Sequence, residues 1–506
     1  MVPAASLPDL DPFTLLFLAV QGLYALSLGL VFFFLLLPVN RAAAPPMGCE
    51  PSDADCPPIV LFYPVLRELE ATMRTTFLSL SNLRYPADRY CVTAIPNAND
   101  LETVASLRRL ALEFPFLRIV EVPPTSDPGW NAVWSAWDAC PHAYWWHRGR
   151  RAGNRDLPPK KTRQLVYAFY TLAAERAGGE DFLVNYIDAD SCPPSDHFMA
   201  AAEGMRHFDV LQAQNIAGNL NGGMAAALHA FDHMAWDGFV YPHLSADGAH
   251  PYWVLGKGLF FRGSDLVELG GFHPWITIED PEVGMRFWTH GRRLGVIENP
   301  LIEEVPSTFA HGVTQRKRWI CGFLQSLGRP LADMGMTWRQ RMRARLNVLP
   351  CLSLVTNTFG LPIGAWTLFA WLDGRGTQPG WSVWLAVLNL SLFAILMSAL
   401  YRSTWRRSAL VLASRRARVL YLLRVNPLVL LGWWLFWTVP IAIGTWMFIR
   451  DHGLVWERTV KIDANHSLVR SAVVQPAVLR LGAPADPPLH ANVNDQSDAG
   501  RPGLAL

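Results

Sequence analysis

Charge is scarce in this chain. Of 506 residues only 17% are Asp, Glu, Lys or Arg, while 51% are hydrophobic, with 21 Trp and 26 Phe. The length excludes one ordinary domain, and the poverty of charge fits a membrane protein with a soluble part. Cysteine pairs are also missing. Cys49 and Cys56 stand seven apart, and Cys91, Cys140, Cys192, Cys321 and Cys351 are isolated, so neither a disulfide framework nor a zinc site is indicated. There is no basic surplus, the formal net charge being +2, and no nucleic acid is expected as a partner. His229 and His233 lie four apart, but no Glu-containing metalloprotease pattern surrounds them, so both read as structural.

Long apolar runs are present in their place. Residues 13–37 are nearly unbroken apolar sequence, preceded by Asp9 and Asp11 and followed by the first base, Arg41. A signal peptide has a basic front and a shorter core, so this is an anchor with its N-terminus outside. Residues 38–57 read as a linker. Two further spans are expected at 349–372 and 381–400, followed by a strongly basic cytoplasmic segment, 401–426. The apolar, Trp-rich segment 427–449 carries Pro440 and reads either as a span or as a broken helix in the interface. Residues 313–348 interleave bases with apolar side chains, the pattern of interfacial helices. Residues 450–464 then form a loop whose side of the membrane depends on whether 427–449 crosses. The tail, 465–506, is expected to be disordered.

Residues 58–312 carry the mixed pattern of an α/β domain. Apolar runs at 58–63, 89–95, 117–122, 182–187 and 210–215 alternate with helical stretches, which argues for a mostly parallel sheet covered on both faces. Ligands in such sheets bind at the carboxyl ends of strands. Asn99-Asp100 and Asp188/Asp190 both lie just past such ends. On an extended backbone Asp188 and Asp190 point to the same side, which is unfavourable unless a cation joins them. Hard oxygen donors suit Mg2+ or Mn2+; the alternative is a solvated pair in a turn. Lys160, Lys161 and Arg163 open a helix against its dipole, a placement that suits facing anions. The basic loop 142–159 lies just before them. Gly256–Arg262, G-K-G-L-F-F-R, lacks the terminal Lys-Ser/Thr of a P-loop and suits close approach of a sugar. Asp280 precedes a helix and is either a cap or a general base.

The order of these motifs carries a resemblance. D-A-D (188–190), the E-D of I-T-I-E-D (279–280) and Q-R-K-R-W (315–319), with an anchor in front and spans behind, resemble the membrane-embedded family 2 glycosyltransferases. That group contains the cellulose, chitin and hyaluronan synthases. The resemblance covers about residues 13 to 461. It implies an α/β GT-A-type domain inserted between transmembrane helices on the cytoplasmic side of a bacterial inner membrane. It also implies an inverting, metal-dependent transfer from a nucleotide-diphosphate sugar, most expectedly a UDP-sugar, that makes a polysaccharide processively.

By the same resemblance Asp100, with Asn97 or Asn99, meets the nucleotide. Asp188 and Asp190 hold the diphosphate and the metal. Asp280 is the base, with Glu279 beside it. Arg316 and Arg318 bind the diphosphate, and Gln315 and Trp319 line the acceptor site. W-E-R-T-V-K (456–461) resembles the F-x-V-T-x-K gating loop of cellulose synthase, with Thr459 and Lys461 in matching places. That match favours the interfacial reading of 427–449. The implied partners are membrane lipid, a growing glycan or lipid acceptor, and a second copy or an export protein. Two other functions compete: transfer of one sugar to a lipid or short acceptor, and a non-catalytic scaffold or transporter.

Overall fold

The structure is a computed structural model that describes residues 12–140, 155–176, 179–246, 250–328, 334–347, 353–374, 380–450 and 459–474. Its strands are β1 (Arg41–Ala42), β2 (Ile59–Pro64), β3 (Tyr90–Ile95), β4 (Leu117–Ile119), β5 (Leu183–Tyr186), β6 (Val210–Ala217), β7 (Leu259–Arg262) and β8 (Leu294–Glu303). They form one sheet in the order β1-β8-β6-β7-β5-β2-β3-β4. Every neighbouring pair is parallel except those of β7, which runs antiparallel to β5 and β6. β2 and β5 are buried at every residue, as continuous apolar runs in a sheet covered on both faces should be. Alternate residues feed two cores. Val60 and Phe62 pack with Trp130 and Phe169 on one face, and Leu61 and Tyr63 pack with Phe77 and Leu107 on the other.

Three strands depart from the sequence reading: β7 lies in the stretch read as a glycine turn, and β1 and β8 were not expected. The linker at 38–57 contributes β1, which pairs with Val296 and Ile297 of β8. Asn40 pins it there: its amide nitrogens donate to Ser245 Oγ and Ser245 O at 2.9 and 2.8 Å. β8 itself is poorly signalled, because Pro300 interrupts an otherwise plausible strand. The interruption is real but local. The register between β6 and β8 slips between Ala213 and Asn215, opposite residues 298–300, so the proline falls in a bulge.

Among the described residues three helices are long and apolar enough to cross a membrane, Thr14–Leu36, Gly380–Leu410 and Pro427–Ile449, which makes the chain a multi-pass membrane protein by length and composition. The helices Pro12–Leu36, Ser353–Leu372 and Gly380–Arg407 pack against one another. A buried polar cluster ties them. Asn389 Nδ2 donates to Gln21 Oε1 at 2.7 Å and Gln21 Nε2 donates to Gly360 O at 3.1 Å.

The span expected at 381–400 runs on to Arg407, whose guanidinium reaches Gln214 Oε1 at 2.6 Å. Residues 427–449 form two helices, Pro427–Phe436 and Thr438–Ile449. Pro440 lies in the first turn of the second, where its missing N–H costs nothing. That second helix lies so close to the helix Phe309–Leu327 that a Cβ on Gly444 would meet Lys317 O and Ile320 Cβ at 2.7 Å. The tail holds a further helix, His466–Val474, against Glu70–Leu80, with His466 Nδ1 at 3.2 Å from Thr75 Oγ1. The expected disorder of the tail therefore does not begin at 465, and residues 475–506 lie outside the described residues, as do residues 142–154 of the basic loop 142–159.

Asn389→Leu removes two of the buried interhelical hydrogen bonds. It should cost about 1 kcal/mol, read as a fall of a few degrees in the thermal midpoint of the purified protein in detergent.

Candidate active site

A cavity of about 550 Å³ opens at the carboxyl ends of β2, β5 and β8 and extends between the membrane helices. The acids at its edge are held by lysines. β5 ends at Tyr186, and the chain turns through Ala189 and Asp190, so the same-side argument for an extended Asp188/Asp190 pair does not apply. Asp188 faces Lys161 Nζ at 2.9 Å. Asp190, nearly inaccessible, accepts from the Glu304 amide at 2.8 Å and from Lys461 Nζ at 2.6 Å. The stretch after 459 is thus folded onto the site. Glu304 receives the amides of Ile462 and Ala464 at 3.0 and 2.6 Å, and Arg318 donates to Thr459 Oγ1 at 3.2 Å. Trp456 and Arg458 lie outside the described residues.

Glu279 and Asp280 open the helix Asp280–Thr289. Neither caps it by a side-chain bond. Glu279 is buried against Lys161 at 3.2 Å. Asp280 accepts from the Tyr186 hydroxyl at 2.9 Å. Burial first, then the charges of Glu279 and Asp188, push the Asp280 carboxyl well above the usual carboxylate range, against the opposing pull of Lys161 and the Tyr186 hydroxyl. A carboxylate tuned upward is suited to take a proton near neutral pH. The Lys161 ammonium is itself held charged: burial works against it, and Asp188, Glu279 and Asp280 overcome that. The bases at the start of the helix Lys161–Glu175 therefore face protein acceptors. Arg163 donates to Asn97 Oδ1 at 2.6 Å and Lys160 to Ile276 O at 3.4 Å.

The glycine turn before β7 makes room for the acid. Gly256 has φ +75°, and a Cβ there would fall on the Asp280 carboxylate. The close approach expected at this turn is thus made by Asp280.

In the helix Phe309–Leu327, Gln315, Arg318 and Trp319 share one face by their i, i+3, i+4 spacing and line the cavity. Arg316, expected at the diphosphate, is on another face. It is fully buried, donates to Asp232 Oδ2 at 2.7 Å and lies over the rings of Trp433 and Trp437 at 5.2 and 4.8 Å. Asp100 also lies off the cavity wall: its carboxylate accepts from the Arg67 amide at 2.7 Å, and Asn99 beside it is exposed.

Other functional groups went unread in the sequence. His233, Asp237 and Glu303 are all buried, and their ligand atoms lie within 4.8 Å of one another, a cluster capable of holding a divalent metal. His233, expected to be structural, sits 2.9 Å from Glu303 and 3.3 Å from Asp237. Lys257 Nζ is 2.5 Å from Glu303. Burial raises the Glu303 carboxyl, yet Lys257 and His233 outweigh it and bring it to about 2. The only sequence sign of this cluster was the His229/His233 spacing, and its other members come from distant elements. His229 itself packs on Trp433 and Gly312, and burial, then Arg316, lowers it to about 2, so it stays neutral.

Residues 183–449 match the model of glycosyl transferase family group 2. The chain belongs to that family. It is a family 2 glycosyltransferase with a GT-A-like, mostly parallel sheet domain flanked by candidate membrane helices. Comparison with curated proteins gives no match. Among solved structures it is similar to a mannosyltransferase from Pyrobaculum calidifontis in complex with GDP-Man and Mn2+. The identity is 17%, over 87% of this chain and 98% of that one, with a TM-score of 0.46. It is also similar to residues 1–349 of TarS from S. aureus in complex with UDP-GlcNAc, at 11% identity over 79% of this chain and 93% of that one, with a TM-score of 0.34.

Gly256→Ala forces a side chain into positive φ and displaces the Asp280 carboxylate. Sugar transfer by the purified variant should fall by at least about tenfold if Asp280 takes part in it, since a small misplacement at a reacting centre costs up to about a hundredfold. An unchanged rate would show that this contact does not fix Asp280.

Proposed function

We propose that the chain transfers a sugar from a nucleoside diphosphate donor, most expectedly a UDP-sugar, to a hydroxyl acceptor in one inverting displacement. The observation that carries this reading is the convergence on one cavity of Asp188, Glu279, Asp280, Arg318, Trp319 and Lys461 from four separate stretches of chain. Asp280 is the base. Tyr186 orients its carboxylate, and the raised affinity for a proton matches the task. Arg318 and Lys461 stand where they can take the charge of the departing diphosphate, with Thr459 closing beside them. Trp319 offers its ring as a platform for a sugar. Arg316 acts from behind, fixing the helix through Asp232.

The cavity wall is suited to a divalent cation. Nine acidic side chains line it against five Lys and Arg, a formal acidic excess of four. Asp188 is the acid of the D-x-D pair that remains accessible, 44% exposed, and it would hold Mg2+ or Mn2+ with Asp190 behind it. The buried His233, Asp237 and Glu303 are the second donor set, and Lys257 already balances Glu303. The bound cation would offset charge on the diphosphate.

A cytoplasmic catalytic domain agrees with Arg41 after the first apolar run and with the basic stretch 401–426 after the span at 381–400. The helix Arg415–Arg424 packs on the helix Met224–Ala235, with the Tyr421 hydroxyl at 3.2 Å from Ala227 O. Thr459 and Lys461 return to the site. Both ends of Pro427–Ile449 thus lead back to the catalytic domain, which supports the interfacial or re-entrant reading of that segment over a single crossing.

Asp280→Asn should keep donor binding and lose transfer by about 100- to 10,000-fold; undiminished turnover would remove Asp280 from the base role. Because the Tyr186 hydroxyl stabilises the ionised carboxylate, Tyr186→Phe should raise the carboxyl further. The acid limb of the kcat/KM pH profile then moves to higher pH. A limb that stays in place, or moves down, counts against the assignment. Asp188→Asn should weaken Mn2+ binding, measured by calorimetry with UDP, about tenfold or more, with Glu303→Gln having little effect. The reverse pattern would put the cation at the histidine cluster.

A further inference from the structure

The side chains given chemical roles occupy only part of the cavity wall, and most of the remainder is apolar. Asp188, Asp190, Glu303 and Glu304 come from strand ends, and Glu279 and Asp280 from a helix N-terminus. Phe231, Phe323, Phe393, Leu396, Met397 and Trp434 come from four different helices, two of which belong to candidate membrane spans. The chamber therefore bridges the sheet edge and the membrane helices, with Trp319 and His233 facing each other at 6.0 Å between ring centroids on the wall they share.

The acceptor implied by the synthase resemblance is a growing polysaccharide, and this wall suits it poorly. Each sugar carries several hydroxyls, and a buried hydroxyl without a partner is costly. Leu396, Met397, Phe393 and Phe231 offer none. A hydrocarbon chain, by contrast, gains from such a wall in proportion to its buried area. The charge of the chamber limits the head group as well. With nine acids against five bases on the wall, a phosphate-headed acceptor placed beside Glu279 and Asp280 meets like charge, whereas a neutral hydroxyl does not.

We infer that the acceptor is an uncharged, hydroxyl-headed membrane lipid, with its chain against the helices Gly380–Arg407 and Pro427–Phe436 and its hydroxyl at Asp280. The inference rests on the transferase reading above and names its substrate class. The lipid oxygen forms a bond to the anomeric carbon. The bond from that carbon to the donor diphosphate breaks, its electron pair leaving with the nucleoside diphosphate, and the hydroxyl proton passes to Asp280.

The test uses the full chain in phosphatidylcholine nanodiscs containing diacylglycerol, ceramide or neither, with a labelled panel of UDP- and GDP-sugars and Mn2+. Label should enter the organic phase only when one of the two hydroxyl lipids is present, and the two arms show which. Leu396→Trp fills the apolar part of the chamber. It should cut lipid transfer at least tenfold by raising the lipid KM while slow hydrolysis of the donor continues unchanged, and Leu396→Met should restore transfer. Label found in a water-soluble glycan or on added polyprenyl phosphate, with no dependence on either neutral lipid, overturns the inference and leaves the transferase reading standing. No consumption of any donor with any acceptor overturns both.

Discussion

Like charge gathered at one edge of a sheet is the constraint on which the rest of this structure depends. Asp188, Asp190, Glu279, Asp280, Glu303 and Glu304 all reach one chamber. Left alone they would repel one another and resist burial. Three lysines from distant parts of the chain meet them: Lys161 at Asp188 and Glu279, Lys257 at Glu303, and Lys461 at Asp190. Lys461 lies 271 residues from its partner in sequence, so pairing at the site also fixes where the chain goes after its last membrane segment. A chamber still in negative excess is one that favours a cation, and one that holds Asp280 protonated more readily than an ordinary carboxylate.

The helix Phe309–Leu327 couples that chamber to the membrane. Its Gln315, Arg318 and Trp319 face the cavity, Arg316 is locked beneath by Asp232, Trp433 and Trp437, and Gly444 lets the helix Thr438–Ile449 lie directly on it. A second close approach, of Gly322 to Ile278, seats it against the loop that carries Glu279 and Asp280. A shift of the membrane helices would therefore move Trp319 together with the loop that carries Glu279 and Asp280.

Much of the scaffold was legible because it rests on periodicity. The apolar run at β2 is continuous, as a strand buried on both faces should be, those at β3, β5 and β6 are broken only by single or paired polar residues, and the membrane helices announce themselves by length. β1 and β8 were not legible. A two-residue edge strand has no periodicity to read, and Pro300 disguises the other. At the site, the spacing of Q-R-K-R-W told which residues belong to the motif but not which face each would present. Arg316 and Arg318 are chemically alike and two apart, so only the neighbours of the helix could separate the buried one from the one at the cavity.

By itself the sequence determined the class of element at most positions, the grouping of acids near strand ends, and the presence of helices fit for a membrane, because these depend on local pattern and composition. The tertiary structure decided the rest: that Asp188 and Asp190 turn to different lysines, that His233 joins Asp237 and Glu303, that Gly256 yields its space to Asp280, and that an apolar chamber adjoins the acids. Each of these is a contact between residues far apart in the chain. Charge pairing and cavity shape depend on distance in space, which no local pattern in the sequence records.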